Sequence, residues 1–208
     1  MKIVVAQPVA RPGLEYLRDR GYQVIVGSGQ TAPEDLRAFI AGADALLIRT
    51  AFYTARVLEA APGLRVVARM GVGLDNVDLD YCRQKHIWVT IAPSANSNAV
   101  AEHTIGFLVD CAHRITWFDR QVRRGNWQVR DTLPGENLKG KTLGIIGLGR
   151  IGRLVAQKAA AGLDMRVLGY HPRWEKEQYP AGVEAAGSLY DLLERADYVT
   201  MKFCARQR

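Results

Sequence analysis

From its second residue the chain alternates short β-branched, largely apolar runs with stretches of helical periodicity, and this alternation constrains the fold more than any other feature. Residues 2–6, 22–26, 44–48, 64–68 and 87–91 are runs of strand length bounded by turn residues, the pattern expected of buried strands. The segments between them read as helices. Pro33, Glu34 and Asp35 open one, and Gly21 and Gly42 stand where helix C-caps belong. Strands joined by helical crossovers pair in parallel, so residues 1–98 form one α/β domain with a parallel sheet.

A longer apolar-periodic helix is expected over 98–118, followed by a basic segment, 120–130, and a loop, 132–139. Residues 99–139 therefore read as an interdomain or dimerisation helix and arm. A second alternating series then begins, with strands 142–146, 165–170 and 198–203 and helices 151–162 and 188–195, so that 140–208 forms a second, partial domain. The 208 residues suffice for two small cores. No apolar run approaches the ~18 residues of a membrane span, and the first residues lack a signal peptide's basic flank and cleavage site. A cytoplasmic protein without a membrane partner is expected. Cys82, Cys111 and Cys204 are scattered, which suggests neither a disulfide framework nor a zinc site, and they read as small buried hydrophobes.

The net charge of +7 raises the question of a polyanion partner. Its distribution answers it. Five Arg against one Asp lie between Arg114 and Arg130, and Lys202, Arg206 and Arg208 supply the rest of the excess. Arg120, Arg123 and Arg124 share a helical face and are expected to be solvated. No nucleic-acid partner is predicted.

The string Gly147-Leu148-Gly149-Arg150-Ile151-Gly152 follows a predicted strand and opens a predicted helix, the context in which G-x-G-x-x-G binds a dinucleotide. Gly147 permits the tight turn, Gly149 lets a pyrophosphate approach backbone amides, and Gly152 lets helix and strand pack closely. Gly71 and Gly73 fail the same spacing because Asn76 occupies the third glycine's place. An NAD site ordinarily carries Asp or Glu about 20 residues on, yet Tyr170-His171-Pro172-Arg173 holds no acid. Two readings stand. Either His171 hydrogen-bonds a ribose hydroxyl of NAD, or His171 and Arg173 accommodate the 2′-phosphate of NADP.

Ligands of open parallel sheets bind beyond the carboxyl ends of the strands. There the first domain offers Arg49 and Thr50, then Arg69 through Gly73, then Ser94 through Asn96. Cationic side chains, free amides and a carboxamide suit a small carboxylate, with or without a phosphate. Singly, Arg49 and Arg69 also read as surface charges and Asn96 as a helix cap. Glu102 and His103 are adjacent on a helix and so point in different directions, which argues against an acid/base couple.

Three strings taken together carry a resemblance: Arg69-Met70-Gly71-Val72-Gly73-Leu74-Asp75-Asn76-Val77-Asp78; Asn96 with Val100-Ala101-Glu102-His103; and residues 140–152, ending in the glycine-rich loop. In combination they resemble the D-isomer-specific 2-hydroxyacid dehydrogenases, most nearly the phosphoglycerate dehydrogenase branch, over residues 1 to about 200. The resemblance implies a flavodoxin-like substrate domain followed by the first half of a Rossmann domain. It also implies hydride transfer between NAD or NADP and C2 of a small 2-hydroxy or 2-oxo acid, in a homodimer. Arg49, Arg69, Val72, Gly73 and Asn96 would bind substrate. Gly147, Gly149, Arg150, Ile151, Gly152, His171 and Arg173 would bind the dinucleotide. The family's catalytic Arg, Glu and His match no residue of this chain, and the last residues lack the proline-containing turn the family places there, so the expectation is a truncated, inactive chain. The same reasoning expects strand 142–146 to lack one neighbour and to expose an apolar edge. A non-catalytic dinucleotide-binding and dimerising fragment is the alternative, and a co-repressor-like scaffold a more distant one.

Overall fold

The computed structural model describes residues 1–172, 175 and 179–202. They fall into two compact units, Met1–Ala95 and Asn96–Arg208.

The first unit runs β1 (Lys2–Val5), α1 (Arg11–Asp19), β2 (Gln23–Val26), α2 (Pro33–Ile40), β3 (Ala45–Ile48), α3 (Ala55–Leu58), β4 (Val66–Arg69), α4 (Leu79–Gln84) and β5 (Trp88–Ile91). All five strands are parallel, in the order β2-β1-β3-β4-β5. Alternate residues of β1 and β3 feed opposite faces of the sheet. Val4, Leu46 and Ile48 pack with Leu36, Ile40 and Leu58, whereas Ile3, Val5 and Ala45 pack with Leu14. Not every strand is buried as the sequence pattern suggested. β2 and β5 are edge strands and keep much of their surface in solvent, Trp88 being 77% exposed. Gly21 and Gly42 follow the last turns of α1 and α2 as expected.

The second unit runs α5 (Ser97–His113), α6 (Ile115–Arg123), a 3-10 turn at Trp127–Asp131, β6 (Thr142–Ile146), α7 (Arg150–Leu163), β7 (Arg166–Tyr170), β8 (Val183–Ala185), α8 (Leu189–Arg195) and β9 (Tyr198–Met201). Its sheet is parallel, ordered β8-β7-β6-β9. Leu143 and Ile145 pack with α5 and α7 on one face, while Ile146 packs with Leu192 of α8 on the other.

Four further sequence expectations need correcting. The helix expected over 98–118 is two helices, broken at Arg114, whose φ is +54°. The break is stabilised locally: Asp110 accepts hydrogen bonds from Thr116 N and Thr116 Oγ1, both at 2.6 Å, and so caps the first turn of α6. β8 was not anticipated, since three residues carry too little periodicity to register. The strand expected to lack a neighbour has two. The crossover through α8 carries the chain to the far side of β6, so the edge falls at β9, where Val199 and Met201 are exposed. Cys82 is buried but Cys111 is exposed, and Cys204 lies outside the described residues. Arg123 is exposed as expected but is paired with Asp119 at 2.9 Å.

Two outcomes follow from this packing. A Cβ added at Gly144 would stand 2.6 Å from Leu192 Cδ2 and 2.9 Å from Ala196 Cβ, so Gly144→Val should cost about 2–3 kcal/mol, read as a lower denaturant midpoint. At the amino ends of β6 and β9, Tyr198 Oη donates to Glu136 Oε2 at 2.7 Å, and Lys141 pairs with the same carboxylate. Burial first, and then this bond, push the Tyr198 phenol from 10.0 up to about 12. A pKa raised on folding stabilises below the unfolded value and loses that contribution as pH rises through the folded one. Thermal stability should therefore fall between pH about 10 and about 12. Tyr198→Phe should shrink that fall, and Tyr53, pushed to about 12 by burial, should keep the remainder.

Candidate functional site

Parallel pairing sets β3 and β4 side by side with Ile48 opposite Arg69, so Arg49 and Arg69 leave neighbouring strand ends. Arg49 is exposed and its Nη1 donates to Pro8 O at 2.8 Å. Arg69 curls over its own turn and donates from Nη1 to Met70 O at 2.8 Å, while its buried Nε has no partner. Among the described residues neither guanidinium meets a carboxylate. Gly71 makes the curl possible. Its φ is +144°, and a Cβ there would overlap the Arg69 guanidinium. Beyond it, the amides of Val72 and Gly73 have no acceptor among the described residues, and Val72 is exposed. Successive unsatisfied amides beside a guanidinium form an anion-binding concavity.

The residue that broke the second glycine spacing has a structural task. Asn76 is buried, and its Nδ2 donates to Arg49 O at 3.1 Å and Ala51 O at 2.7 Å. Tyr53 N donates to Asn76 O, and Asp78 N donates to Tyr53 O. The 71–78 loop is thereby stitched to the segment that carries Arg49. Asp78 caps α4 through Tyr81 N at 2.9 Å. Gln7, which sequence reasoning passed over, approaches the same segment from β1. Its Oε1 accepts from Thr50 N at 2.8 Å and Ala51 N at 3.0 Å. A lone glutamine after a strand carries no motif, so nothing in the sequence marked it. A wider opening of about 580 Å³ lies beyond β2, lined by Ser28, Thr31, Asp35 and Phe39 among others, and includes none of the predicted residues.

In the second unit the glycine-rich loop joins β6 to α7. Gly147 takes φ +96° and donates its N–H to Tyr170 O at 2.9 Å. Gly149 precedes the first turn of α7, is exposed, and has nothing within 4 Å of a would-be Cβ. Gly152 is the opposite case, because a Cβ there would lie 2.1 Å from Gly147 O. No side chain caps the helix. Among the described residues the amides of Arg150, Ile151 and Gly152 lack acceptors, and Arg153 N is the first to bond back, to Gly149 O at 3.0 Å. An uncapped helix start behind open space accepts an anion. The residues present thus fit a dinucleotide's pyrophosphate. His171 follows β7, and its backbone N–H donates to Tyr179 Oη at 3.0 Å. Arg173 lies outside the described residues.

Asn96 is exposed at the start of α5, and its side chain makes no capping bond, so the capping alternative does not hold. Glu102 faces Lys158 at 3.7 Å and Asn98 at 2.6 Å, whereas His103 stacks edge-on against Phe107. The two neighbours thus diverge as helical geometry requires. Among the described residues His86, His103 and His113 have no carboxylate partner. No group of three or more metal-ligating side chains occurs among the described residues, and no described helix is long and apolar enough to cross a membrane.

The family described as D-isomer specific 2-hydroxyacid dehydrogenase, catalytic domain, matches residues 3–205. D-3-phosphoglycerate dehydrogenase of Methanocaldococcus jannaschii is 39% identical over 203 residues, covering 97% of this chain and 38% of that protein. The NAD+-bound 3-phosphoglycerate dehydrogenase of Entamoeba histolytica superposes with a TM-score of 0.78 at 27% identity, covering all of this chain and 64% of that one. The NAD-dependent formate dehydrogenase of Staphylococcus aureus, in complex with NAD, gives 0.80 at 28% identity over 98% of this chain and 65% of that one. The chain thus spans between about two fifths and two thirds of the length of these relatives.

The stitching by Asn76 has a direct check. Asn76→Ala leaves two carbonyls without their donor and should cost about 2–3 kcal/mol in denaturant unfolding. Asn76→Asp, which sets a carboxylate against the same two carbonyls, should cost more.

Proposed function

Because the chain belongs to the D-isomer specific 2-hydroxyacid dehydrogenase family, we propose that it serves oxidation of a small D-2-hydroxy acid or reduction of the matching 2-oxo acid. The 3-phosphoglycerate, glycerate/hydroxypyruvate and glyoxylate types are the substrate candidates. One observation carries the reading. A single chain holds two sets of unsatisfied backbone amides at the carboxyl side of parallel sheets, at Val72–Gly73 beside Arg69 and at 150–152 behind Gly149.

In this reading the amides of Val72 and Gly73 bind the substrate carboxylate, and Arg49, Arg69 and Asn96 line the substrate side. The amides of Arg150, Ile151 and Gly152 hold the pyrophosphate, with the positive end of α7 favouring its charge. Arg150, exposed beside it, adds a cation. The nicotinamide ring, when bound, supplies or accepts the hydride. The protein's share is to orient the acid and neutralise its charge, because hydride transfer depends on close approach of the reacting carbons.

NAD is the cofactor we propose, since relatives from two organisms are described with it bound. The absence of an acid at 170–172 keeps NADP in the comparison. The arm over 99–139 is the proposed homodimer surface. α6 buries no residue, and Ile115, Val122 and Trp127 are exposed along this segment. Burying such a patch against a second copy would remove it from water. The cytoplasm is the proposed setting.

The test is a titration of the purified chain with NADH and NADPH, followed by turnover with hydroxypyruvate or glyoxylate. NADH should bind the more tightly. Gly149→Val should weaken binding at least about tenfold, by filling the open approach to the amides, with little change in the unfolding midpoint. Turnover above background supports the dehydrogenase. Binding without turnover favours a non-catalytic dinucleotide-binding and dimerising chain. If neither nucleotide binds, the reading fails.

A further inference from the structure

Gln7 follows β1 and reaches the strand end from which Arg49 projects. Its Oε1 accepts from the amides of Thr50 and Ala51, at 2.8 and 3.0 Å, and its Nε2 donates to Thr50 Oγ1 at 3.1 Å. The carbonyl of the next residue, Pro8, accepts from Arg49 Nη1 at 2.8 Å. From the opposite side Asn76 donates to Arg49 O and Ala51 O. The peptide groups of residues 49–51 are therefore held at four points by two carboxamides. The place is distinctive. β1 has β2 on one side and β3 on the other, so the strand order reverses there, and open parallel sheets bind ligands at such a point.

The chemistry of the clamp is as specific as its position. Thr50 and Ala51 offer two convergent N–H donors, which any carboxylate or carboxamide oxygen could accept. A carboxylate at that place would set a negative charge beside Arg49 and draw its guanidinium away from a substrate anion. A carboxamide accepts the same bonds without charge. Pro8 O, likewise neutral, orients the guanidinium through one donor and leaves the others for a ligand.

We propose that Gln7 is a positioning residue, which fixes the Arg49 segment for an anionic substrate while leaving the arginine's charge uncompensated. This rests on the reading of Arg49 as a substrate-side residue. It adds that a neutral acceptor at position 7 is a requirement of anion binding, and not of folding alone.

The experiment compares the 208-residue chain with Gln7→Ala and Gln7→Glu by two measurements: hydrogen exchange at Thr50 and Ala51, and calorimetric titration with glyoxylate. In Gln7→Ala, exchange at both amides should quicken about five- to tenfold and glyoxylate should bind about five- to tenfold more weakly, the scale of one lost hydrogen bond. In Gln7→Glu, exchange should stay slow because an acceptor oxygen remains, yet glyoxylate binding should weaken to a similar degree. A merely structural glutamine would give the opposite for that variant, slow exchange with unchanged affinity, and that result overturns the proposal. Unchanged exchange in Gln7→Ala also overturns it. Failure of the unsubstituted chain to bind glyoxylate overturns the substrate reading of Arg49, and with it this role for Gln7. Normal binding by both variants overturns the role of Gln7 alone.

Discussion

Two parallel strands cannot be joined by a tight turn, and the rest of the structure depends on that constraint. A connection must bring the chain back to the same end, and most here do so with a helix on the sheet's face. Every strand of a unit therefore finishes on one rim. Residues distant in sequence meet there without any local signal. Gln7, Arg49 and Asn76 belong to three different connections and still share hydrogen bonds. The strands can then remain almost wholly apolar, because the polar work is done at their ends. Arg69, the one residue of the first unit's candidate site that belongs to a strand, is the last of β4.

Such rims are useful because loop and helix-start amides there remain unsatisfied. In the interior an orphan amide carries a desolvation penalty, whereas at a rim it can wait for a ligand or for water. The three glycines of the 147–152 loop divide the task in different ways. Gly147 supplies a left-handed turn, Gly152 supplies contact between helix and loop, and Gly149 supplies room. In the proposed reading only the last bears on a ligand directly. Spacing alone does not reveal that division.

Much of this was legible in the sequence for physical reasons. A run such as Leu143–Ile145 must be buried and leads straight into glycines, so strand, turn and helix followed from pattern. The strands 22–26 and 87–91 looked just as buried, because composition does not say which strand lies at an edge. The order of strands is likewise a matter of crossovers, which is why the neighbour supplied by β9 was missed. The break at Arg114 depends on a side-chain cap from Asp110, and helical periodicity runs through such a break unaltered. In the candidate site, Arg49, Arg69 and the loop amides stood out by residue type and placement. Gln7 and Asn76 did not, because a carboxamide becomes informative only when its partners are known.

The arginines differ in whether their partners carry charge. Over much of the surface they face carboxylates: Arg11 with Glu15, Arg56 with Glu34, Arg83 with Asp80, Arg123 with Asp119 and Arg195 with Asp191. Exposed pairs of this kind contribute little to stability, but they do cancel charge. Arg49 and Arg69, like Arg20 and Arg114, depart from the pattern. Among the described residues their partners are carbonyl oxygens, and the groups that fix the backbone around Arg49 are carboxamides. A guanidinium held by dipoles keeps its full charge and most of its donors, and two such groups on adjacent strand ends set up a local positive potential above unsatisfied amides. The excess positive charge of the whole chain belongs to other stretches of sequence, 114–130 and 202–208. A rim whose arginines are held by carbonyls and carboxamides keeps that potential, where a carboxylate in the same place would cancel it.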